Sequence, residues 1–308
     1  MIAVFVAVIA ATALMARFTP VVNHAILLVA AFAPYLAIAA AVLAVPLLFT
    51  QQRLIAAVAL GLAAMVMAWQ MPLFIGSGRP PADTFPIRVL TMNLHNGGAD
   101  PQALTALSRD TDLLIVQELP EKLAGDLSRL ESEFAYRVLD PRSSAAGAGV
   151  WSRYPIVRSS RDDSYTLGLL TLTVRPPGSV SDVAVLNVHL AGPYPQPIDR
   201  WRQEIAALRS TMNEAPRGIG RQTVIVAGDF NATADMRPLR LLLRNGFTDA
   251  REQSGAGLLR TFPADRSWPP LLGIDQILTL NAAVSDVRTE RVPGTDHLGL
   301  RATIHVPA

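Results

Sequence analysis

The tetrapeptide Gly228-Asp229-Phe230-Asn231 and the triad Thr295-Asp296-His297, which begins 64 residues after it, are the most informative motifs in this chain. Three earlier residues, Asn93, Glu118 and His189, complete a set of carboxylates, amides and imidazoles. Mg²⁺ binds through one or two carboxylates together with phosphate oxygens of a substrate. A base must activate water, and neutral donors must stabilise the developing charge. The set therefore predicts metal-assisted hydrolysis of a phosphoester.

Five of these candidates stand at or just after the end of a predicted strand, and four of them have an ordinary alternative. Glu118 could cap the helix that follows it, and His189 could be a satisfied core histidine. Asp229 and Asn231 lie at the start of a turn, where Asp and Asn are common because their side chains stabilise turns. A carboxylate at the end of an apolar strand is costly to bury without a partner, however. Because polar strand ends of the same chemistry recur, a shared site is the stronger interpretation.

An acidic residue is also available to orient His297. Asp275 is embedded in the apolar stretch Gly273–Leu278, and Asp296 directly precedes His297 in the loop before the last predicted strand. An acid that holds an imidazole in one tautomer is the usual partner of a catalytic histidine. This arrangement makes His297 a candidate catalytic residue.

The elements that must position these residues are predicted from short apolar runs and amphipathic stretches after residue 86. Helices are expected at 101–109, 120–131, 198–214 and 236–244, the first with Asp100 as N-cap and Pro101 in its first turn. The mixed order predicts an α/β sandwich with sheets inside and helices outside. Strands are expected at Ile87–Leu94, Leu113–Leu119, Gly149–Ser152, Leu169–Val174, Val183–Leu190, Val224–Asp229, Ile274–Leu280 and Leu300–Val306.

Residues 1–76 are expected to be a membrane segment of three transmembrane helices. Ala25–Phe49 and Leu54–Gly78 are uncharged runs of 25 residues each, and a spanning helix needs about 20 apolar residues. Met1–Ala16 is shorter and could be a first span or a signal sequence, although it lacks the positively charged start of a signal peptide. The polar, proline-rich composition of residues 77–86 predicts a linker. A catalytic domain follows at 87–308.

Charge and cysteine content exclude several kinds of function. Of the 27 basic and 25 acidic side chains, only three arginines and one aspartate lie in residues 1–84, so the remainder is formally neutral. This balance gives no support to a nucleic-acid footprint. The absence of cysteine excludes disulfides, thiolate zinc sites and thiol nucleophiles.

Residues 87–306 resemble the endonuclease/exonuclease/phosphatase superfamily, which includes deoxyribonuclease I-like nucleases, abasic-site endonucleases, neutral sphingomyelinases and inositol polyphosphate 5-phosphatases. The order Asn, Glu, His, Gly-Asp-Phe-Asn, Asp, Asp-His carries the resemblance, together with the strand and Ser-x-Tyr-Pro turn of Gly149–Ile156. The resemblance implies a four-layer α/β sandwich of two packed mixed sheets flanked by helices. It also implies a metal-dependent phosphoric ester hydrolase that uses Mg²⁺, with Mn²⁺ as a substitute.

The resemblance further implies which residues hold the metal. Glu118 would be the principal Mg²⁺ ligand, with Asn93 close by and Asp296 contributing to the metal site. One position departs from the pattern, because many nucleases of this group carry an acid where this chain has His95. This departure weakens the expectation of a second metal and loosens the match to abasic-site endonucleases.

Catalytic roles follow from the same resemblance. His297 would act at the scissile phosphate and would be oriented by Asp275. Asp229 would position or deprotonate the attacking water, and Asn231 would hold the site in place. His189 would donate to a phosphoryl oxygen. Whether His297 or Asp229 is the base is left open.

Three membrane helices followed by this domain look like bacterial membrane-anchored members of the superfamily, among them proteins linked to teicoplanin resistance. The expected partners are therefore the lipid bilayer and a lipid-linked phosphate or pyrophosphate substrate. A membrane-tethered nuclease acting on DNA or RNA is the alternative, and a catalytically idle binding module is a third interpretation. The expected location is the cell membrane, multi-pass, with an extracytoplasmic catalytic domain. The distribution of charge alone slightly favours a cytoplasmic domain, because an extracytoplasmic domain would place both Arg17 and Arg79 outside.

Overall fold

The computed structural model describes residues 1–215 and 222–308. Its helices are α1 (Ile2–Ala16), α2 (His24–Ala31), α3 (Ala33–Leu47), α4 (Arg53–Ala68), α5 (Pro72–Ile75), α6 (Pro101–Ser108), α7 (Glu121–Asp126), α8 (Ile198–Glu214), α9 (Arg237–Leu242) and α10 (Ala250–Ser254). Its strands are β1 (Thr84–Asn93), β2 (Leu113–Gln117), β3 (Tyr136–Asp140), β4 (Ala148–Ser152), β5 (Ile156–Asp162), β6 (Leu169–Val174), β7 (Val183–His189), β8 (Thr223–Asp229), β9 (Thr248–Asp249), β10 (Asp275–Leu280), β11 (Ala283–Glu290) and β12 (Gly299–Pro307).

Two sheets pack face to face at the centre of the catalytic domain. Sheet A has the order β11-β12-β1-β2-β4-β3, and sheet B has the order β5-β6-β7-β8-β10-β9. The pairs β1–β2 and β7–β8 are parallel and the other pairs are antiparallel, so both sheets are mixed. Their facing sides form one apolar core that includes Ile87, Ile115, Val185 and Ile225. The predicted sandwich of two mixed sheets is confirmed.

Helices cover the outer face of each sheet. Leu104 of α6 and Leu123 of α7 belong to the apolar cluster on the outer side of sheet A. Trp201 of α8 and Leu239 of α9 belong to the cluster on sheet B. Strands β2, β7 and β8 are therefore buried along their whole length, which explains their nearly continuous apolar sequences.

The eight predicted strands and four predicted helices are all present, β6 and α8 with the predicted ends and the others with shifted ends, but four strands were not predicted. They are β3, β5, β9 and β11. Strand β5 pairs only with β6 at a sheet edge, and its residues Arg158, Ser159 and Ser160 are exposed and polar. Strand β11 has a register shift between Ser285 and Arg288, which interrupts its alternation. An edge strand has one partner and little buried surface, so its sequence need not be apolar.

The N-terminal helices differ from the predicted spans. The run Ala25–Phe49 is divided into α2 and α3 with a bend of 66°. Pro34 at the start of α3 has no N–H to donate to the preceding turn, which accounts for the break. The run Leu54–Gly78 is helical only to Ala68 before the short α5. In residues 1–215 and 222–308 no individual helix is long and apolar enough to cross a membrane, although the bent pair passes by length and composition. The expectation of three transmembrane helices stays a prediction.

Helices α1 to α5, here called the N-terminal bundle, pack against the catalytic domain. Bundle residues such as Ala30 and Val66 share the apolar cluster of α8 and α9. The predicted linker at 77–86 is docked as well, because the Ser77 N–H donates to the Gln253 carbonyl at 2.7 Å. Strand β1 already begins at Thr84. The bundle is thus fixed to the domain by a shared core.

Candidate active site

The ends of five strands converge on one buried group of acids and imidazoles. Asp229 ends β8 and Asp275 begins the antiparallel β10, where the two residues are register partners. In the parallel pair β7–β8, His189 is the register partner of Asp229. His297 lies just before β12. The predicted catalytic residues of sheet B are therefore brought together by strand pairing.

His297 is held between two carboxylates. Its Nδ1 lies 2.9 Å from Asp275 Oδ2, and its Nε2 lies 3.8 Å from Asp229 Oδ2. All three side chains are buried. Within the described residues, Asp275 Oδ1 is also buried and has no hydrogen-bond partner. The geometry fits the expected role of Asp275 as the acid that orients His297.

Asn93 and Glu118 reach the same group from sheet A. The Asn93 amide donates to Glu118 Oε1 at 3.0 Å and to Asp229 Oδ2 at 3.2 Å. The second oxygen of Glu118 accepts the Asn96 N–H at 2.6 Å. Glu118 has a φ of 58°, a left-handed conformation that few non-glycine residues adopt and that is typical of functional positions. Asn93 therefore joins the two acids across the space between the sheets.

His189 faces the acids from the opposite side. Its Nε2 lies 3.7 Å from Glu118 Oε1 and 3.8 Å from Asp229 Oδ2, while its Nδ1 lies 3.2 Å from the Ala145 carbonyl. A hydrogen bond from Nδ1 to that carbonyl leaves Nε2 directed at the carboxylates. His189 is thus part of the site and not a core histidine.

The Gly228-Asp-Phe-Asn turn is shaped by two unusual conformations. A Cβ on Gly228, whose φ is 140°, would lie 2.0 Å from the Val188 carbonyl oxygen. Asn231, with a φ of 50°, donates from its amide to the Leu190 carbonyl at 2.9 Å. Its backbone N–H donates to Asp229 Oδ1 at 2.8 Å. Asn231 therefore fixes Asp229 and the segment after β7, as its expected supporting role requires.

Asp296 lies at the edge of this group. Its Oδ1 is 3.7 Å from His95 Nδ1, and its backbone carbonyl accepts the Ala264 N–H at 2.7 Å. Both side chains are partly exposed. The pairing places His95, the residue that departs from the family pattern, beside Asp296. A metal-binding role of Asp296 stays a prediction.

Burial and the neighbouring charges set the protonation of the central pair. Burial raises the pKa of Asp229 to about 6, and the neighbouring Asp275 adds to the rise. Burial acts to lower the pKa of His297. The hydrogen bond and charge of Asp275, with the charges of Asp229 and Asp296, outweigh it and raise that pKa to about 10. His297 is therefore an imidazolium at neutral pH.

Two positions in the site could suit a cation. Ligand atoms of Asp229, Asp275 and His297 all lie within 4.8 Å of one another. In that group, however, the protonated imidazole already supplies the positive charge between the two acids. Glu118 is the more exposed carboxylate and, with Asn93, offers the oxygen ligands that a hard divalent cation prefers. The residues present fit a divalent metal at Glu118.

Two supporting residues of the site were not predicted. Gln117 donates from its amide to Asn187 Oδ1 at 2.8 Å, and Asn187 donates to the Val116 carbonyl at 2.8 Å. Both are buried between the two sheets, directly under Glu118 and His189. Polar residues inside otherwise apolar strands were the signal that could have found them, because buried amides need partners.

Comparison with known proteins agrees with this geometry. The sequence pattern of the Endonuclease/Exonuclease/phosphatase family matches residues 90–297. The chain belongs to this family. Divalent-metal dependence is a property of the family, and the oxygen ligands of Glu118 and Asn93 provide the matching chemistry. The chain is thus a metal-dependent phosphoester hydrolase.

Solved structures of other proteins share the fold. Truncated Caenorhabditis elegans TDP2 is 15% identical with a TM-score of 0.59, covering 71% of this chain and 97% of that one. D. rerio TDP2 complexed with a single-strand DNA product is 15% identical with a TM-score of 0.58, at 71% and 98% coverage. The 3′ phosphatase NExo from Neisseria, bound to a product DNA hairpin, is 19% identical with a TM-score of 0.57, at 70% and 98% coverage. At these identities the likeness shows the fold. No curated protein matches the chain.

Proposed function

We propose that the chain is a membrane-anchored, Mg²⁺-dependent hydrolase of a lipid-linked phosphate or pyrophosphate. The observation that carries this proposal is the contact between the N-terminal bundle and three segments that adjoin catalytic residues. His24 Nε2 lies 3.0 Å from the Gln196 carbonyl, in the segment after His189. Two further contacts, at Asp235 and Leu271, involve the segments after Asn231 and before Asp275. The site therefore lies beside the apolar bundle.

The second and third contacts are well defined. Gln70 donates to Asp235 Oδ1 at 3.0 Å, and Arg17 pairs with the same oxygen at 2.8 Å. The Tyr35 hydroxyl donates to the Leu271 carbonyl at 2.7 Å. Because each contact lies in a segment next to a catalytic residue, a substrate held by the apolar surface would have a short path to the site.

Packing inside the bundle supports insertion into lipid. Its central cluster consists of Val6 and five alanines. Large apolar side chains face outward instead, for example Val42 at 67% and Leu54 at 79% exposure. Small residues inside allow close helix packing in lipid, where exposed apolar side chains carry no penalty. In water each such side chain would cost about 25 cal/mol per Å² of exposed apolar area.

Aromatic and basic residues mark the end of the bundle that adjoins the domain. Trp69 packs edge-on against Phe18 at 5.4 Å, and the Arg17 guanidinium lies 5.0 Å from the Trp69 ring centre. Tryptophan and arginine are favoured at the membrane–water interface. Helix α1 with its 15 residues spans roughly 22 Å, which is shorter than the roughly 30 Å hydrocarbon core. A short segment is accommodated by local thinning of the bilayer.

The proposed chemistry uses the site as follows. A divalent cation at Glu118 would neutralise charge on the substrate phosphate. Asp229 takes the proton of the attacking water as the new P–O bond forms and the P–O bond to the leaving group breaks. The imidazolium of His297, oriented by Asp275, donates from Nε2 to the phosphate oxygen that becomes the leaving group. His189, with Nδ1–H bound to the Ala145 carbonyl, donates to another phosphate oxygen in its doubly protonated form. The protonation of His297 makes Asp229 the base in this proposal.

Hydrolysis by the full-length protein tests the substrate class, measured as phosphate release from the lipids and the nucleotide and as strand cleavage of the DNA. The panel contains an undecaprenyl-type pyrophosphate, a phosphatidic acid, a nucleotide and single-stranded DNA, each with Mg²⁺, with Mn²⁺ and with excess EDTA. We expect release from a lipid phosphate with either metal and none in EDTA. Glu118→Gln protein is the matched negative control for contaminating phosphatases.

Other outcomes have separate meanings. Preferential cleavage of DNA would support a membrane-tethered nuclease, as the DNA-bound structures of TDP2 and NExo suggest. Full activity in EDTA would contradict the metal requirement. Lipid phosphatase activity without association with vesicles would remove only the membrane anchor from the proposal.

A further inference from the structure

A groove of about 240 Å³ lies where α8 and α9 meet the connection between α1 and α2. Its lining combines apolar side chains with three arginines, and none of the catalytic residues contributes to it. We call it the arginine groove. It is lined by Pro20, Val21, Arg202, Arg209, Arg237 and Leu241, among others.

Two of its arginines have no acidic partner in the part of the chain that the structure describes. Arg202 is paired with Asp199 at 2.9 Å. Among the described residues no salt bridge joins Arg209 or Arg237 to a carboxylate, and Arg209 Nε is buried without a hydrogen-bond partner. Burying a charged donor without a partner is costly, so such a group is suited to an anionic ligand.

The surroundings add to the positive potential. Burial lowers the pKa of Arg240 to about 10, and the charges of Arg17 and Arg237 contribute to the decrease. Arg17 itself lies at the bundle end that Trp69 and Phe18 mark. The arginine groove therefore lies at the level where lipid headgroups would meet the protein.

A second, apolar groove of about 380 Å³ runs between α1 and α2. We call it the chain groove. Its walls include Val8, Met15, Ala25, Ile26 and Val29. The segment between α1 and α2 lines both grooves. Thr19 belongs to the chain groove, and the next residues, Pro20 and Val21, belong to the arginine groove.

We propose that the two grooves together bind one anionic phospholipid that is distinct from the substrate. Its phosphate is held by Arg209 and Arg237, and one acyl chain lies in the chain groove. This inference rests on the membrane attachment proposed above. The phosphate is bound by charge-assisted hydrogen bonds from guanidinium groups, and the apolar lining suits a hydrocarbon chain.

Retention of single lipids by the full-length protein in a neutral detergent tests the headgroup. Dioleoylphosphatidylglycerol and dioleoylphosphatidylcholine are titrated, and bound lipid is counted by native mass spectrometry. We expect tighter retention of the anionic lipid, weakened about 10-fold or more in the Arg209→Gln/Arg237→Gln variant, since each arginine near a lipid surface contributes about 1 kcal/mol. The variant Arg137→Gln/Arg158→Gln, altered on β3 and β5, is the charge-matched control and should bind as the unchanged protein does.

A second variant tests the chain groove. Ala25→Trp fills that groove from an exposed position on α2 without altering the arginines. It should weaken phosphatidylglycerol binding while leaving the thermal shift by inorganic phosphate unchanged. Inorganic phosphate could displace bound phosphatidylglycerol as well as added phosphatidylglycerol does, while Ala25→Trp leaves lipid binding unchanged. That result would show that the ligand is a free anion and that the lipid proposal is wrong.

Flotation with vesicles separates this inference from the proposed membrane attachment. Vesicles of pure phosphatidylcholine and vesicles with 30% phosphatidylglycerol are each mixed with full-length protein. Failure to float with either would contradict the attachment itself. The protein could instead float with both kinds of vesicle but retain the two lipids equally in detergent, with no effect of the Arg209→Gln/Arg237→Gln variant. That result would overturn only the phospholipid site.

Discussion

The Tyr35 hydroxyl donates a hydrogen bond to the Leu271 carbonyl, and this contact joins α3 of the bundle to the segment that precedes Asp275. The Arg260 guanidinium lies 4.9 Å from the Tyr35 ring centre on the same side. Within this segment, Leu272 forms a bridge with Phe262, whose ring centre lies 4.9 Å from that of His297. A contact of the apolar bundle is thus connected to the catalytic imidazole by one short stretch of chain.

Removal of that hydroxyl should lower turnover more than it lowers stability. Tyr35→Phe loses one hydrogen bond, which is worth about 1 kcal/mol of folding free energy. Because the segment then loses its tie to the bundle, we expect kcat to fall several-fold with little change in KM. The matched control is Tyr165→Phe, which loses a hydroxyl contact to Thr211 away from the site. Equal kinetic effects of the two variants would show that Tyr35 has no positioning role.

The sequence predicted which polar residues the strands bring together. Strand-end residues such as Asp229 and His189 could be recognised because strand pairing brings such ends together. The tie between Asp235 and Gln70 could not be predicted, since the two residues are 165 positions apart and neither belongs to a motif. Hydropathy gave the apolar runs correctly, but it does not register the helix break before Pro34.

The pair of His297 and Asp275 should behave as one unit in catalysis. His297→Ala removes the donor to the phosphate and should lower kcat/KM by roughly 10²–10⁴-fold. Asp275→Asn should lower the rate through the loss of the charge that keeps His297 oriented and protonated. The double variant should therefore be little worse than His297→Ala alone. Losses that simply multiply would contradict the pairing, and circular dichroism of each variant controls for unfolding.

The Arg17–Asp235 ion pair should contribute to the stability of the bundle–domain contact. Arg17→Gln leaves a buried carboxylate with Gln70 as its remaining side-chain partner, and we expect a loss of about 1–3 kcal/mol in the free energy of unfolding. The double variant Arg17→Gln/Asp235→Asn removes the buried charge and should recover part of that loss. Chemical denaturation in detergent measures both, and no recovery in the double variant would contradict the ion-pair explanation.

The same contact predicts a pH dependence. Burial raises the pKa of Asp235 above its usual value, against the opposing charge of Arg17. The folded protein therefore holds this proton more strongly than the unfolded chain does. The stability that this bound proton contributes is greatest below the unfolded pKa of about 3.8. It is lost as the pH rises through the folded pKa of Asp235. The loss of unfolding free energy caused by Arg17→Gln should thus be smaller at pH 4.5 than at pH 8. The same substitution made in Asp235→Asn protein should cause a loss that does not differ between these two pH values.

The side of the membrane can be decided by labelling one introduced cysteine. The chain has no cysteine, and Val180 is 70% exposed in the connection between β6 and β7. Charge near the helix ends favours a cytoplasmic domain, because Arg17 and Arg79 adjoin the domain whereas only Arg53 lies at the far end of the bundle. Large domains are translocated largely regardless of charge, however, so this count does not decide the topology.

We expect the domain to lie outside the cytoplasm, as the resemblance to membrane-anchored members of the superfamily implies. Val180→Cys in the full-length protein should then react with a membrane-impermeant maleimide in intact cells. A cysteine at Gln51, in the turn between α3 and α4 at the opposite end of the bundle, is the matched control and should react only after lysis if the bundle spans the bilayer. The reverse pattern would place the domain in the cytoplasm. Labelling of both positions in intact cells would instead show that the bundle enters and leaves the membrane from the same side, so that the chain is attached to one leaflet without crossing it.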